Sequence, residues 1–171
     1  VDAFIRMGDE KGYQLDLLKE VQKININQRE HLMRKLQQEL WVIEDKTIAV
    51  IGLAFKPGTD DVREAPSLYF VPRLIERKAH LRLWDPIARE KFDELHPGLQ
   101  YFDDPIECAR GADAVLILAE WPEVKKMDLN RLKEVMHCPI VMDGRNIFDL
   151  DVMKKHGFIY HSMGRQAVQA H

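Results

Sequence analysis

The sequence predicts an α/β fold: a Rossmann-like, doubly wound parallel sheet in three layers, preceded by a long α-helix. Two observations lead to this prediction. After Asp45, short apolar runs typical of buried strands alternate with segments of helical period, and strands separated by short helices form βαβ units with right-handed crossovers. Before Asp45, one helical pattern fills most of the segment. We therefore expect two regions, residues 1–44 and residues 45–171.

The first region combines a short amphipathic helix, closed by Gly12, with a much longer helix over residues 14–40. At 1.5 Å per residue the long helix spans about 40 Å, so we expect it to bridge domains or subunits. The plainer alternative is that it caps the sheet. One helix face carries the residues Leu18, Val21, Ile24, Gln28, Leu32, Leu36 and Leu40. The amides of Asn25, Asn27 and Gln28 interrupt the apolar stripe and are expected to be solvated.

The second region alternates candidate strands with candidate helices. The strands are predicted over residues 47–53, 80–84, 100–102 (the weakest), 114–118, 140–142 and 158–161. The helices are predicted over residues 67–78, 87–95, 105–110, 129–136 and 150–156. Ligands of such sheets bind beyond the carboxyl ends of the strands. The loops that follow the strands are therefore the candidate site.

Composition limits the classes of function. Of the 171 residues 46% are apolar, and 25 basic residues nearly balance 28 acidic ones. No broad positive field therefore favours nucleic acid or an anionic membrane as a partner. No signal peptide and no run long enough to span a bilayer is apparent in the sequence. The chain opens at Val1 in mid-pattern, which suggests a piece of a longer protein.

Cysteine and histidine usage gives two further expectations. Cys108 and Cys138 are too few for a disulfide framework, which fits a reducing cytoplasm. Neither cysteine has the surroundings of a reactive thiolate. The histidines are scattered without metal-ligand spacing, so no metal site is predicted.

The segment KTIAVIGLAFKPGTDDVREAPS, residues 46–67, forms a strand, a loop and the start of a helix near Ser67. Helix starts bind anions readily because their N–H groups lack partners, and Lys56 and Arg63 add full charges. The segment does not contain the G-x-G-x-x-G pattern of dinucleotide sites, since only Gly52 is in place. We therefore expect an anion site built from side-chain cations rather than from glycine backbone.

Three other loops carry candidate ligands, each with a structural alternative. Asp85 in WDP either binds a ribose hydroxyl or, as favoured here, caps the following helix. Glu120 and Trp121 either contact a ligand or close the strand, and the sequence does not decide between these. Arg145 follows the turn in MDGRN and is suited to bidentate phosphate binding. Its alternative is a salt bridge to Asp60 or Asp61.

Four motifs together carry a resemblance to a known family. GLAFKPGTDDVREAPS, LRLWDP, AEW and MDGRNIFD occur in an order and spacing that resemble the carboxyl-terminal third of the UDP-glucose 6-dehydrogenase family. The preceding segment, VDAFIRMGDEKGYQLDLLKEVQKININQREHL, is similar to the central helical region of that family. The resemblance covers nearly the whole chain.

The resemblance implies an NAD-dependent enzyme that oxidises the 6-hydroxymethyl group of a UDP-sugar to a carboxylate, with two NAD molecules reduced in turn. In that family a catalytic cysteine forms covalent intermediates, within a motif like GGSCFPKD immediately ahead of the position that corresponds to Val1. Neither Cys108 nor Cys138 matches it. We therefore expect no catalytic residue in this chain and no activity of the chain by itself.

The resemblance also implies roles for particular residues. Phe55 and Lys56 match residues that hold the UDP moiety, Arg145 matches an arginine that serves the nucleotide sugar, and Arg63 matches an arginine that reaches the NAD diphosphate. NAD itself is expected to bind mainly to an amino-terminal domain outside this chain.

For the two regions, the resemblance implies that residues 1–44 are a central helical region through which a homodimer forms. It implies that residues 45–171 are a carboxyl-terminal UDP-sugar-binding domain. UDP-glucose is the favoured substrate, with UDP-N-acetyl sugars and GDP-mannose as alternatives. A non-catalytic nucleotide-binding module and a helical interaction protein are the alternatives from other functional classes.

Overall fold

The computed structural model describes residues 1–169 of the chain. The strands are β1 (Thr47–Ile51), β2 (His80–Trp84), β3 (Gln100–Tyr101), β4 (Ala114–Ile117), β5 (Ile140–Asp143) and β6 (Ile159–Ser162). The helices are α1 (Asp2–Glu10), α2 (Asp16–Leu40), α3 (Ser67–Glu76), α4 (Arg89–Leu95), α5 (Pro105–Ala109), α6 (Pro122–Lys125), α7 (Leu129–Val135) and α8 (Leu150–Lys155). Every predicted strand and helix is therefore confirmed, and α6 is an addition.

The strands form one sheet in the order β3-β2-β1-β4-β5-β6, and all pairs between these strands are parallel. The chain moves outward from β1 to β3, returns to place β4 beside β1, and moves outward again to β6. Because crossovers between parallel strands of one sheet are right-handed as a rule, this reversal puts helices on both faces of the sheet. The predicted fold class, a doubly wound three-layer α/β sheet, is confirmed. Its topological switch point lies between β1 and β4.

Burial along the strands agrees with helices on both faces. All residues of β4 and β5 are buried, as expected for central strands of a parallel sheet. Strand β1 ends two residues earlier than predicted, at Ile51. Leu53 and Ala54 remain buried, but their N–H groups donate to the Asp85 carboxylate at 2.7 and 3.0 Å instead of continuing the sheet.

Helix α2 is 25 residues long and divides into two parts. Near its carboxyl end, the side chains of Leu32, Leu36 and Leu40 lie in the same core as the sheet. Farther towards its amino end, Val21 and Ile24 are exposed. The two ends of the predicted apolar stripe therefore have different environments. Its last residues cover this chain's own sheet, whereas Val21 and Ile24 are exposed. The domain boundary at residue 44 stays a prediction.

None of the helices in the described part of the chain combines the length and the hydropathy that crossing a bilayer requires.

Candidate functional site

A pocket of about 260 Å³ lies between α2 and the carboxyl ends of β1, β4 and β5. This volume is close to the lower limit, roughly 300 Å³, of small-molecule sites. The residues that line it are Asn25, Gln28, Arg29, Leu32, Phe55, Pro66, Phe70, Leu118, Gly144, Arg145 and Met163. Among these lining residues two are arginines and none is acidic. The charges of the pocket therefore favour an anionic ligand.

Arg145 is fixed in this pocket by two backbone carbonyls. Its Nε donates to the Leu118 carbonyl at 2.8 Å, and its Nη2 donates to the Phe55 carbonyl at 3.0 Å. Loss of hydration lowers the pKa of Arg145 from its ordinary value. The charges of Glu120 and Asp143 act in the opposite direction, whereas the nearby charge of Arg29 lowers the pKa further. An anion bound between the two guanidinium groups would offset this repulsion.

The salt-bridge alternative for Arg145 is wrong. Asp60 pairs with Lys91 at 2.7 Å, and Asp61 pairs with Arg63 at 2.9 Å. Arg145 instead spans from the end of β4 to the loop after β1, as its hydrogen bonds show.

Asp143 holds the turn that carries Arg145. This carboxylate is fully buried and accepts hydrogen bonds from the N–H groups of Arg145 at 2.8 Å and Ile147 at 2.7 Å. It also accepts a hydrogen bond from the Tyr160 hydroxyl at 2.7 Å. Burial and the Asp143 charge raise the pKa of Tyr160, so the hydroxyl stays protonated and remains a donor. The DGR sequence therefore forms a turn whose shape is set from beneath by a buried carboxylate.

Phe55 and Lys56 follow β1 in adjacent positions but have different surroundings. The Phe55 side chain is 42% exposed and lines the pocket, while its N–H donates to the Asp61 carbonyl at 2.8 Å. Lys56 is exposed and does not belong to the lining of the pocket. The structure therefore brings Phe55 and Arg145 together, with Lys56 next to them at the surface.

Arg63 lies apart from the pocket. Its side chain is 87% exposed, and its guanidinium forms a two-point contact with the Asp61 carboxylate, at 3.0 and 2.9 Å. Arg63 lowers the pKa of Asp61 to about 2. The structure therefore separates Arg63 from Phe55 and Arg145 and presents its guanidinium to the outside.

Helix α2 supplies pocket residues that the sequence did not identify as site residues. Asn25 and Gln28 are exposed, as expected, yet they line the pocket beside Arg29. Arg29 donates from Nη2 to the Glu64 carbonyl at 3.1 Å, which ties the helix to the loop after β1. The available signal was the placement of these three polar residues on adjacent turns of one helix face.

Asp85 has a structural role, as the sequence favoured, but it does not cap the helix: α4 begins at Arg89, and its N-cap is Ala88, without a side-chain hydrogen bond. Its Oδ1 accepts hydrogen bonds from the N–H groups of Ile87 and Ala88 at 3.0 and 2.8 Å, at the turn before α4. Its Oδ2 accepts from the Trp121 indole N–H at 3.0 Å as well as from the two N–H groups after β1. With both oxygens occupied, Asp85 is not available to a ribose. Trp121 is buried, and Glu120 is paired with Lys125 at 3.2 Å.

Gly52 closes the crevice at the switch point. It has φ +92°, and a Cβ added there would lie 2.5 Å from the Ala119 Cβ and 2.6 Å from the Ala119 backbone nitrogen. The chain segments after β1 and β4 are therefore packed against each other where dinucleotide folds hold a pyrophosphate. The one glycine of the fingerprint that this sequence retains serves close packing instead.

Comparison with known proteins gives a consistent result. The profile of the UDP-glucose/GDP-mannose dehydrogenase family, UDP binding domain, matches residues 49–150. UDP-glucose 6-dehydrogenase TuaD of Bacillus subtilis (strain 168) is 41% identical over 168 residues, which cover 98% of this chain and 36% of that protein. The UDP-glucose 6-dehydrogenase of Pseudomonas aeruginosa is 36% identical over 174 aligned positions, which cover 96% of this chain and 38% of that protein.

Solved structures show the same similarity. A UDP-glucose dehydrogenase from the hyperthermophilic archaeon Pyrobaculum islandicum superposes with a TM-score of 0.74 at 31% identity, covering 85% of this chain and 32% of that one. A UDP-D-ManNAc dehydrogenase from Pyrococcus horikoshii gives a TM-score of 0.72 at 29% identity, over 89% and 34% of the two chains. This chain therefore spans about a third of the length of these relatives.

Proposed function

Because this chain belongs to the UDP-glucose/GDP-mannose dehydrogenase family, we propose that it forms the nucleotide-sugar-binding part of an NAD-dependent UDP-glucose 6-dehydrogenase. In the proposed reaction of the whole enzyme, UDP-glucose, two NAD⁺ and water give UDP-glucuronate, two NADH and three protons. The observation that carries the proposal is the Arg145 guanidinium, held by two carbonyls in a pocket without acidic lining residues.

The pocket residues divide the recognition of the nucleotide between them. A guanidinium has five N–H donors, and carbonyls within residues 1–169 accept from two of the N–H groups of Arg145. The remaining donors are suited to phosphate oxygens, with Lys56 at the surface adding a second charge. The Phe55 ring offers an apolar surface to the uridine. Because Asp143 fixes the turn that carries Arg145, less conformational entropy is lost when the nucleotide binds.

For NAD, the crevice of this sheet is not a suitable site. The contact between Gly52 and Ala119 fills the position of a pyrophosphate, and the hydrogen bonds of Asp85 occupy the position of a ribose partner. We propose that Arg63, whose guanidinium faces outward, contacts the diphosphate of an NAD molecule held mainly by another domain. NAD would supply the hydride acceptor, and no catalytic residue is assigned to this chain.

The sugar is proposed to be glucose, because the named relatives at 36–41% identity are UDP-glucose 6-dehydrogenases. UDP-N-acetyl sugars and GDP-mannose are the alternatives. The proposed location is the cytoplasm, which the two free thiols of Cys108 and Cys138 support.

The test is a calorimetric titration of the chain with UDP, GDP and NAD in parallel. We expect UDP to bind more tightly than either of the others, because the pocket is lined for a diphosphate and the dinucleotide crevice is closed. Preferential binding of NAD would contradict the proposed role of the pocket. Equal affinities for UDP and GDP would show that the base is not recognised by this chain.

Replacing Lys56 by alanine is expected to weaken UDP binding by about 1.5 kcal/mol, roughly tenfold. This is the lower end of the range for a charge-assisted contact, because the Lys56 side chain is exposed and partly screened by solvent. The measurement is the same titration, with Lys91→Ala as the control, since Lys91 is paired with Asp60 outside the pocket lining. An unchanged affinity in Lys56→Ala would remove Lys56 from the site.

We further propose that two copies of the chain pair through the exposed part of α2. The apolar side chains of Leu17, Val21 and Ile24 recur at steps of four and three and are 79%, 36% and 50% exposed. Such a patch on one helix face is typical of a contact surface. Leu32 and Leu36 do not belong to this surface, because they are buried in the chain's own core.

Substitution of Ile24 by aspartate is expected to convert the dimer into a monomer, as measured by light scattering at matched concentrations. A charge in the centre of an apolar interface loses its hydration without gaining a partner. Leu95→Asp is the control, since Leu95 is 53% exposed on α4, away from α2. A dimer that survives Ile24→Asp would place the interface on another surface.

A further inference from the structure

Three potential metal ligands meet at the end of the sheet opposite to the pocket. Asp113 precedes β4, and His137 and Cys138 precede β5. One ligand atom from each lies within 4.8 Å of the other two. The Nδ1 atom of His137 is 2.8 Å from Oδ1 of Asp113. The cluster therefore brings a thiol, an imidazole and a carboxylate to one point.

Backbone hydrogen bonds fix the positions of all three residues. The Asp113 N–H donates to the Thr47 carbonyl at 2.7 Å, and the N–H groups of His137 and Cys138 donate to the Ala112 carbonyl at 2.9 and 3.3 Å. The two loops are thus fastened to each other and to the start of β1. Sites held on such a rigid frame need little rearrangement to bind a ligand.

The Asp113 carboxylate is oriented by a separate contact. Its Oδ2 accepts a hydrogen bond from the Thr47 N–H at 2.9 Å, while Oδ1 faces His137. Asp113 is buried, His137 is exposed and Cys138 is partly buried. This combination, a ligand anchored by a second contact beside two accessible ligands, is common in metal sites.

We propose that Asp113, His137 and Cys138 form a binding site for Zn²⁺ or a divalent metal ion of similar ligand preference. Sulfur, imidazole nitrogen and carboxylate oxygen are the ligands that proteins use for zinc. Three protein ligands leave the fourth tetrahedral position for water. The distance between Asp113 Oδ1 and His137 Nδ1 would increase from 2.8 Å to about 3.3 Å, the separation of two ligands around a tetrahedral zinc ion.

Lys46 sets a limit on the affinity of this site. Its Nζ is 3.5 Å from Oδ1 of Asp113, so the ammonium group and a metal ion would compete for the same carboxylate. We expect micromolar rather than nanomolar affinity, and a higher affinity when Lys46 is removed.

From the sequence we expected no metal site. That expectation rested on ligand spacing along the chain, and this cluster joins two adjacent residues to a third that is 24 positions away from His137. Only the parallel pairing of β4 and β5 brings the two segments together.

The test is a titration of the 171-residue chain with Co²⁺ and, separately, with Zn²⁺. Cobalt bound to a thiolate gives an intense charge-transfer absorption in the near ultraviolet, and calorimetry gives the zinc stoichiometry. We expect one equivalent of either metal and a thiolate-to-cobalt band. Cys138→Ser is expected to abolish the band and to weaken zinc binding at least tenfold, while Cys108→Ser, at a fully buried cysteine, should leave both unchanged.

Two further variants separate metal binding from a merely structural contact. His137→Gln should weaken zinc binding at least tenfold, and Lys46→Met should strengthen it severalfold because the competing ammonium group is gone. A chain that gives no thiolate-to-cobalt band, or whose band persists in Cys138→Ser, would overturn the proposal. Far-ultraviolet circular dichroism of the same variants checks independently that each one is folded.

Discussion

Replacement of Arg145 by alanine is expected to weaken UDP binding about 30- to 150-fold, which corresponds to about 2–3 kcal/mol. Two losses add up in this variant. The nucleotide loses a charge-assisted, two-point contact to phosphate. The carbonyls of Leu118 and Phe55 lose their donor, so the side-chain bridge between the two loops on either side of the pocket is lost.

Two variants refine this measurement. Arg145→Lys keeps the charge but not the planar arrangement of donors, and should recover only part of the affinity. Arg63→Ala removes an arginine that is outside the pocket lining and paired with Asp61, and should leave UDP affinity unchanged. If Arg145→Ala bound UDP as well as the unmodified chain, the nucleotide would have to bind elsewhere and the proposed function would fail.

Replacement of Gly52 by alanine is expected to lower the free energy of unfolding by about 2–5 kcal/mol. A residue with a side chain is strained at φ +92°, at a cost of about 1–2 kcal/mol. The added methyl group also overlaps with both the Ala119 side chain and its backbone, and overpacking of this kind costs about 1–3 kcal/mol. Urea denaturation followed by circular dichroism measures the change.

Gly58→Ala is the matched control, because it shares only the first of these costs. Gly58 has φ +76°, and among the described residues no atom lies within 4 Å of a Cβ built there. We expect a loss of about 1–2 kcal/mol in this variant. Equal losses in Gly52→Ala and Gly58→Ala would mean that the contact with Ala119 is looser than the structure shows.

Local patterns were sufficient to predict the fold. Strands β1, β4 and β5 are short and mostly apolar runs, and each of β1 to β5 is followed by a loop and a helical segment, so the order of elements can be predicted along the chain. The position of Arg145 was predictable for the same reason. It stands after a strand and a turn, and parallel strands direct such residues to one edge of the sheet.

The composition of the pocket was only partly predictable. Phe55 and Arg145 belong to the segments that carry the family resemblance, whereas Arg29 comes from a helix packed across the strand ends. A helical periodicity gives the side of the helix on which Arg29 lies but not what that side faces. The contact of Arg29 with the Glu64 carbonyl joins residues 35 positions apart, and tertiary packing alone sets it.

Helix α2 is held in the core near its carboxyl end. Its residues from Leu32 onward include the buried ones, Asn25 and Arg29 line the pocket, and Leu17 lies near the amino end of the helix. At 1.5 Å per residue, Asn25 lies about 10 Å and Leu17 about 22 Å from Leu32. If the helix pivots at Leu32, a sideways displacement of Leu17 moves Asn25, in the pocket wall, by about half as much. The hydrogen bond from Arg29 to the Glu64 carbonyl links the helix to the loop that carries Phe55, so we expect a contact made near the amino end of α2 to change the width of the pocket.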